Sequence, residues 1–337
     1  MSFKPFQIRY LGYWLIFLML LMVGTLDLAT PLLTVLFSFF LLRKLSYGRN
    51  KLIPATLFIV LVLGLFYLSG FFIKQAVDAL PTMVEESYPK LVEFAKERNW
   101  NLPLDNIVEL KQAILHFLRT QLGYLGNFAK IATKEFAFLL IGMVVAVSLF
   151  INSKMDLDEG SHALKNNLYS FACQEILTRF RSFYQSFERV MGAQIIISTL
   201  NTGFTAVYLL IIDLPYTALV LGITFVCGLL PIIGNLISNT VIVVLSLRIS
   251  PHLAAVSLVY LVVLHKLEYF LNSKIIGDRI RNPVWLTLLA LIIGERLMGI
   301  PGMILAPVLL NFVKVEASTI PVPTPAQRDR HEDFETV

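Results

Sequence analysis

Apolar residues along this chain run in long blocks separated by short polar stretches. The blocks are Tyr10–Leu42, Leu52–Ile73, Phe136–Ile151, Gln194–Ile212, Tyr216–Leu247, His252–Phe270 and Val284–Val313. A membrane-spanning helix needs roughly 20 apolar residues. The pattern therefore predicts an all-α integral membrane protein that crosses the bilayer several times. In the second half of the chain, two blocks are longer than one span needs and are broken in the middle. Tyr216–Leu247 is interrupted by Pro231-Ile-Ile-Gly234-Asn235, and Val284–Val313 by Gly294-Glu-Arg-Leu-Met-Gly-Ile-Pro-Gly302. Two full spans need roughly 40 residues, more than Tyr216–Leu247 contains, so two half-length arms of a re-entrant hairpin fit better than two spans joined by a tight loop. Broken backbone at membrane depth is tolerated only where it is buried in protein or lines a cavity. Paired interrupted segments are the sequence pointer to a transporter's binding site.

The polar stretches add an expected layout. Residues 74–134 carry Val77, Leu80, Val84 and Leu91, then Leu110, Ile114 and Leu118, at helical spacing. Asn99-Trp-Asn-Leu-Pro103 splits them into an extracytoplasmic pair of amphipathic helices. Residues 152–193 read as a cytoplasmic or interfacial helix. Its apolar stripe is Leu164, Leu168, Phe171, Ile176, Phe180, Phe183, Tyr184, Phe187 and Met191, with Arg179, Arg181 and Arg189 among them. Such a stripe lies in the membrane interface or packs on the rest of the protein; packing is a simpler use of these aromatics than a cofactor. The expected units are 1–51 (hairpin and basic loop), 52–73 (span), 74–134, 135–151 (span), 152–193, 194–315 (transport unit) and 316–337. The last is a disordered cytoplasmic tail rich in proline and charge.

Composition excludes the alternatives. The 337 residues are 56% hydrophobic and 15% charged, with a mean hydropathy of +0.72; soluble domains are about 45–50% apolar and about 25% charged. Two cysteines, Cys173 and Cys227, rule out a disulfide scaffold and are expected to be free. Continuous rather than alternating apolar runs exclude an outer-membrane barrel. The net charge of +5 comes from basic residues beside apolar blocks, the pattern of cytoplasmic loops, and no nucleic-acid motif accompanies it. Lys4, Arg9, Arg43, Lys44, Arg49 and Lys51 place both ends of the first block inside. That block must turn back near Leu26-Asp-Leu-Ala-Thr-Pro31. Each arm holds roughly 15 residues, about 22 Å of helix, which suits either two short spans or a dip. Lys274, Arg279 and Arg281 then fall inside, both termini are cytoplasmic, and Arg248 is the exception outside.

Residues 190–315 resemble the autoinducer-2 exporter family of PerM-like permeases. The resemblance rests on Pro231-Ile-Ile-Gly234, on Glu268 followed by Lys274-Ile-Ile-Gly277, and on Gly294 with Gly299-Ile-Pro-Gly-Met-Ile-Leu-Ala-Pro307. Ser273 and Ile300-Pro301 depart from the family's usual residues and suggest a subfamily with its own substrate. The resemblance implies a permease of the bacterial inner membrane, with two re-entrant hairpins, working as a homo-oligomer, a pentamer. Substrates attributed to the family range from autoinducer-2 to sodium and protons.

The candidate pathway residues are polar or conformationally special groups inside apolar blocks. Asn235, Ser238 and Asn239 follow the first break, with Pro231 and Gly234 in it. An unpartnered amide in hydrocarbon costs roughly 2–7 kcal/mol, so these side chains either cap a helix end or line a cavity. Glu295, Gly299, Pro301 and Gly302 belong to the second break; an intramembrane charge is a functional candidate, against an ion pair with Arg296 or another helix. Glu268 and Asn272 flank the end of a span. His265 and Glu268 lack a third metal ligand in the sequence, so no metal site is expected. Asn201 and Thr202 sit mid-span, where bonding between helices is the simpler role. Asp27 is expected to serve the first turn. No nucleotide-binding loop or catalytic motif occurs, so neither an enzyme nor a cofactor is expected. The leading expectation is a secondary transporter exporting a small polar organic molecule, of the autoinducer-2 kind, by alternating access. A sodium/proton antiporter on the same fold is the alternative, and a non-transporting scaffold is a third reading.

Overall fold

A computed structural model describes residues 5–46, 50–97, 112, 125–152, 168–230, 233–276 and 283–320. The regular structure among them is entirely helical. The helices are α1 (Pro5–Thr25), α2 (Ala29–Leu45), α3 (Leu52–Glu97), α4 (Leu125–Ile151), α5 (Leu168–Ile211), α6 (Thr217–Gly228), α7 (Ile233–Ile249), α8 (Pro251–Ile276) and α9 (Val284–Ser318). Segments of α3, α4, α5, α8 and α9 are long and apolar enough to cross a membrane, and α1 with α2 forms a pair bent by 116°. Large apolar side chains on α3, α4 and α8, such as Val60, Val144 and Val259, point outward. Outward apolar faces of this length need lipid.

Helix α5 is the spine. Its first half packs Phe183, Phe187 and Met191 against Ile16 and Val23 of α1, Leu33 and Leu36 of α2, and Leu305, Val308 and Phe312 of α9. Phe37 meets Phe187 edge-on at 5.0 Å, and Phe183 meets Phe312 at 5.6 Å. Of the stripe expected either at the interface or against the protein, Phe183, Tyr184, Phe187 and Met191 are therefore core, Leu168 and Phe171 are exposed, and Leu164 lies outside the described residues. The second half of α5 carries Tyr208 and Leu209 into another core, with Leu219 and Val220 of α6, Ile242 and Leu245 of α7, and Leu261 and Leu264 of α8. A third cluster joins α2, α3 and α4 through Leu42, Ala55, Phe58 and Ala146. Gly142 lets α4 approach α2 closely: a Cβ there would stand 2.7 Å from Thr34 Cβ.

All three interrupted blocks turn. The first turns at Leu26–Leu28, where Asp27 has φ 55°; Pro31 sits in the first turn of α2, where its missing N–H has no intrahelical partner anyway. The second turns between α6 and α7. Any side chain at Gly234 would overlap the Cys227 carbonyl, so the arms meet backbone to backbone. The third turns inside α9 at Gly299, whose φ 61°, ψ −147° is a conformation that only glycine adopts readily. Gly294 and Gly302 face each other across that turn, and a Cβ on Gly294 would lie 2.5 Å from the Gly302 carbonyl oxygen. In one straight helix they would be about 12 Å apart. Leu291 packs on Met303 and Ala306 from the opposite arm. Block α9 is a helical hairpin.

The structure differs from the sequence expectations at several boundaries. No break separates the span at 52–73 from the polar stretch after it: α3 runs on to Glu97, with Pro81 and Pro89 inside it. Likewise α5 carries the stripe and the following span as one helix. Helix α8 continues through Asn272 to Ile276, so the polar residues there mark the end of the apolar zone and not of the helix. Helix α9 includes Glu316, which was assigned to the tail. The break at 99–103 and the tail beyond 320 lie outside the described residues.

Candidate functional site

The tip of the α6–α7 hairpin is anchored on α5. The last carbonyls of α6 have no intrahelical donors; Gln194 Nε2 donates to the Gly228 oxygen at 2.6 Å and Ser198 Oγ donates to the Phe225 oxygen at 2.7 Å. Gly228 is required there, since a Cβ would stand 2.5 Å from Ser198 Oγ.

Directly beside this tip lies a small polar pocket. It is lined by Asn201 and Thr205 of α5, Thr224 of α6, Asn235, Ser238 and Asn239 of α7, and Leu261, Leu264, His265 and Glu268 of α8. Its free volume, about 10 Å³, holds roughly one water molecule. Glu268 is buried. Asn235 Nδ2 donates to Glu268 Oε2 in a close contact, and His265 Nδ1 is 3.8 Å from the same oxygen. Thr224 Oγ donates to the Val220 carbonyl at 2.8 Å and Ser238 Oγ to that of Asn235 at 3.3 Å; both keep lone pairs free for the pocket. Asn201 is buried, and its Oδ1 finds no hydrogen-bond donor among the described residues. An unbonded amide oxygen in a dry helix interface is costly, and a guest in the pocket would relieve it. Among the described residues no group of three metal-ligating side chains forms.

Beyond the leucines, a buried hydroxyl triad crosses three helices. Tyr208 and Ser257 approach to 2.7 Å, Ser257 and Ser246 to 2.6 Å. Tyr208 stacks on Tyr260 at 3.9 Å with an interplanar angle of 7°.

Five of the sequence candidates, Asn201, Asn235, Ser238, Asn239 and Glu268, thus converge on one pocket, and Gly234 makes the contact between the two arms of the hairpin. The side-chain amide of Asn235 faces Glu268. Thr202 is not in the lining, although its Oγ1 is buried without a partner among the described residues. Asn272 lies one turn further along α8, with its side chain outside the described residues, as is Pro231. The second-break residues stand elsewhere. Pro301, with Met298 and Ile300, borders a separate cavity of about 430 Å³ against Gly24, Asp27, Ala29, Thr30, Lys134 and Glu135. Gly299 makes the turn and Gly302 the arm contact. Glu295 is exposed, as is Arg296 beside it. Sequence reading passed over Thr205 and Thr224. Thr205 sits four residues after Asn201, on the same helical face, and that spacing was the available signal.

A third polar group ties α1, α5 and α9. Arg179 Nη2 is 3.1 Å from Glu175 Oε2, and its Nε is 3.2 Å from Glu316 Oε2. Tyr13 donates to Glu316 Oε2 at 3.1 Å, and its ring carries the guanidinium at 4.5 Å. Arg179 is 9% exposed and Glu316 8%.

Helices suited to lipid, hairpins broken at glycine and polar side chains gathered at one break define a multi-span helical membrane protein built like a transporter. Comparison with known sequences agrees. The profile described as "AI-2E family transporter" matches residues 11–320, and the chain belongs to that family. It is also 25% identical over 180 residues to the Bacillus subtilis (strain 168) protein named "Putative transport protein YdbI". That match covers 53% of this chain and 51% of the relative, so it spans about half the length of each. The family is one of transporters and not a class of enzymes.

Proposed function

We propose that the protein is a secondary transporter that exports a small polar organic molecule, of the autoinducer-2 kind, across the bacterial inner membrane. In this reading both termini are cytoplasmic, the α6–α7 hairpin is re-entrant, and the protein works as a homo-oligomer. The observation that carries it is the convergence of Asn201, Thr224, Asn235, Ser238, Asn239 and Glu268, from four helices, on the broken tip of that hairpin. Polar groups placed so in an apolar bundle mark solute paths. The pocket is too small for an organic molecule in this conformation, so transport requires the hairpin to move against α5 and α8, opening the pocket to one side at a time. Asn235 and Glu268 then supply a donor and an acceptor that pair with each other when the pocket is empty and with the solute when it is filled.

A second reading is favoured by one feature. A water-sized pocket with a single carboxylate suits a monovalent cation or a proton. Flux into proteoliposomes separates the readings. Labelled solute movement and imposed pH or sodium gradients are followed for wild type, Glu268→Gln and Glu295→Gln. Export predicts that Glu268→Gln slows solute flux by at least about tenfold, the equivalent of 1.4 kcal/mol, while Glu295→Gln does not. Cation exchange without solute flux, abolished by Glu268→Gln, supports the second reading. Wild-type flux in a well-folded Glu268→Gln protein refutes both.

A further inference from the structure

The cavity of about 430 Å³ between the α1–α2 turn, the start of the apolar span of α4 and the α9 tip is separate from the pocket at Glu268. The geometry points to a binding site for a zwitterion, a primary ammonium joined by a short linker to an anionic oxygen group, with the headgroup of phosphatidylethanolamine as the occupant best suited to it.

Four observations carry this. The first is charge. Asp27 and Glu135 supply carboxylates and Lys134 an ammonium to the same cavity. Lys134 Nζ stands 3.7 Å from Asp27 Oδ2, a loose and solvent-exposed contact of the kind that contributes little by itself. Its partners are therefore free to be exchanged for those of a ligand with both signs of charge.

The second is depth. Lys134 is the first residue of the apolar span Lys134–Ile151, which puts the cavity where an apolar helix meets water. Lipid headgroups occupy that level. The third is the wall. Met298, Ile300 and Pro301 give the cavity an apolar side, and beside it Ile300, Leu297 and Leu26 are 62%, 63% and 55% exposed. Acyl chains of a lipid whose headgroup is in the cavity would lie along these residues, and a free amino acid would leave them bare.

The fourth is backbone conformation. Asp27, at φ 55°, lines the cavity, and Gly299, at φ 61° and ψ −147°, lies between two of its lining residues. Conformations of this kind concentrate at ligand clamps and switches, where surrounding structure holds them. The site stands independently of the transport reading above.

The test uses the purified full-length protein in detergent, offered an equal mixture of phosphatidylethanolamine, phosphatidylcholine and phosphatidylglycerol with identical acyl chains. Retained lipid is counted by native mass spectrometry. Phosphatidylcholine keeps the phosphate and the positive charge but has no N–H to donate to Asp27 or Glu135; phosphatidylglycerol has no cation. Phosphatidylethanolamine should be retained at least about tenfold over both, as expected when charge-assisted hydrogen bonds decide. Retention of all three lipids should fall in Lys134→Gln, which removes the partner of their shared phosphate, and the preference should vanish in Asp27→Asn, a change that keeps the turn because asparagine tolerates positive φ. It should persist in Glu93→Gln, a charge change on the polar half of α3 away from the cavity. In a second arm, phosphoethanolamine and β-alanine are added to lipid-free protein and its melting temperature is followed. Stabilisation there, lost in the same two variants and without lipid preference, keeps the zwitterion site and makes a soluble molecule its occupant. Equal retention of the three lipids with no effect of soluble zwitterions overturns the proposal. So does a preference that survives Asp27→Asn.

Discussion

Replacing Arg179 by methionine tests the buried ion group between α1, α5 and α9 most sharply. The guanidinium faces two carboxylates, Glu175 at 3.1 Å and Glu316 at 3.2 Å. Arg179→Met strands the buried Glu316 carboxylate beside a half-buried Glu175. Removing one partner of a buried pair costs about 3–5 kcal/mol. Glu316→Gln is milder: Arg179 retains Glu175, and the glutamine oxygen still accepts from Tyr13. Its loss is that of a charged hydrogen bond, about 1.5–3 kcal/mol. The order is therefore Arg179→Met above Glu316→Gln, and the double variant should lose less than the two singles combined, since Glu316 is no longer a stranded charge. At roughly 2 °C per kcal/mol for a chain of this size, Arg179→Met should lower the melting temperature in detergent by about 6–10 °C. A loss of less than about 1 kcal/mol, or one no greater than that of Glu316→Gln, would mean that water reaches the group and that the burial argument fails.

Three further outcomes follow from geometry. Gly302→Ala drives a methyl into the Gly294 carbonyl and should cost about 1–3 kcal/mol, whereas Gly203→Ala, with nothing within 4 Å of its Cβ, should be neutral or slightly stabilising; equal melting of the two would sink the hairpin contact. Ser198→Ala removes the bond to the Phe225 carbonyl, about 1 kcal/mol, and amide exchange over residues 225–235 should quicken while that of α9 stays unchanged. In the hydroxyl triad, Tyr208→Phe leaves Ser257 and Ser246 bonded at 2.6 Å and should cost about 0.5–1.5 kcal/mol. Ser257→Ala takes out the centre and should cost more in the same chemical-unfolding series; the reverse order would show that the triad is not a connected unit.

The spans and breaks were legible because lipid imposes a simple code: long apolar blocks, with glycine and proline where a helix must turn. Asn201, Asn235 and Glu268 stood out because polar groups are rare inside such blocks. That they meet was not legible, since it depends on how α5, α7 and α8 pack. Thr205 and Thr224 were inconspicuous because threonine in a helix can satisfy itself on a preceding carbonyl, as Thr224 does. The Tyr13–Glu316 bond joins residues 303 positions apart, and no local spacing announces it. Glu316 was assigned to the tail because proline and charge follow it closely, although the helix carries it two residues short of its end at Ser318. The continuity of α3 was missed for a related reason: a change from apolar to polar residues alters what surrounds a helix, not whether the backbone continues.

That continuity has a mechanical consequence. At 46 residues, α3 has a length along its axis of about 69 Å. In its polar half, Lys90 donates to the carbonyls of Arg248 and Ile249, latching onto the elbow between α7 and α8. In its apolar half, Phe72 presses on α6, 3.2 Å from where a Cβ on Gly222 would stand. One helix thus grips the broken hairpin at two heights. Pro81 and Pro89 lie between the two grips, where each removes an intrahelical hydrogen bond and gives the helix a point at which to bend, so a hairpin that shifts can carry the polar end of α3 with it by flexing there.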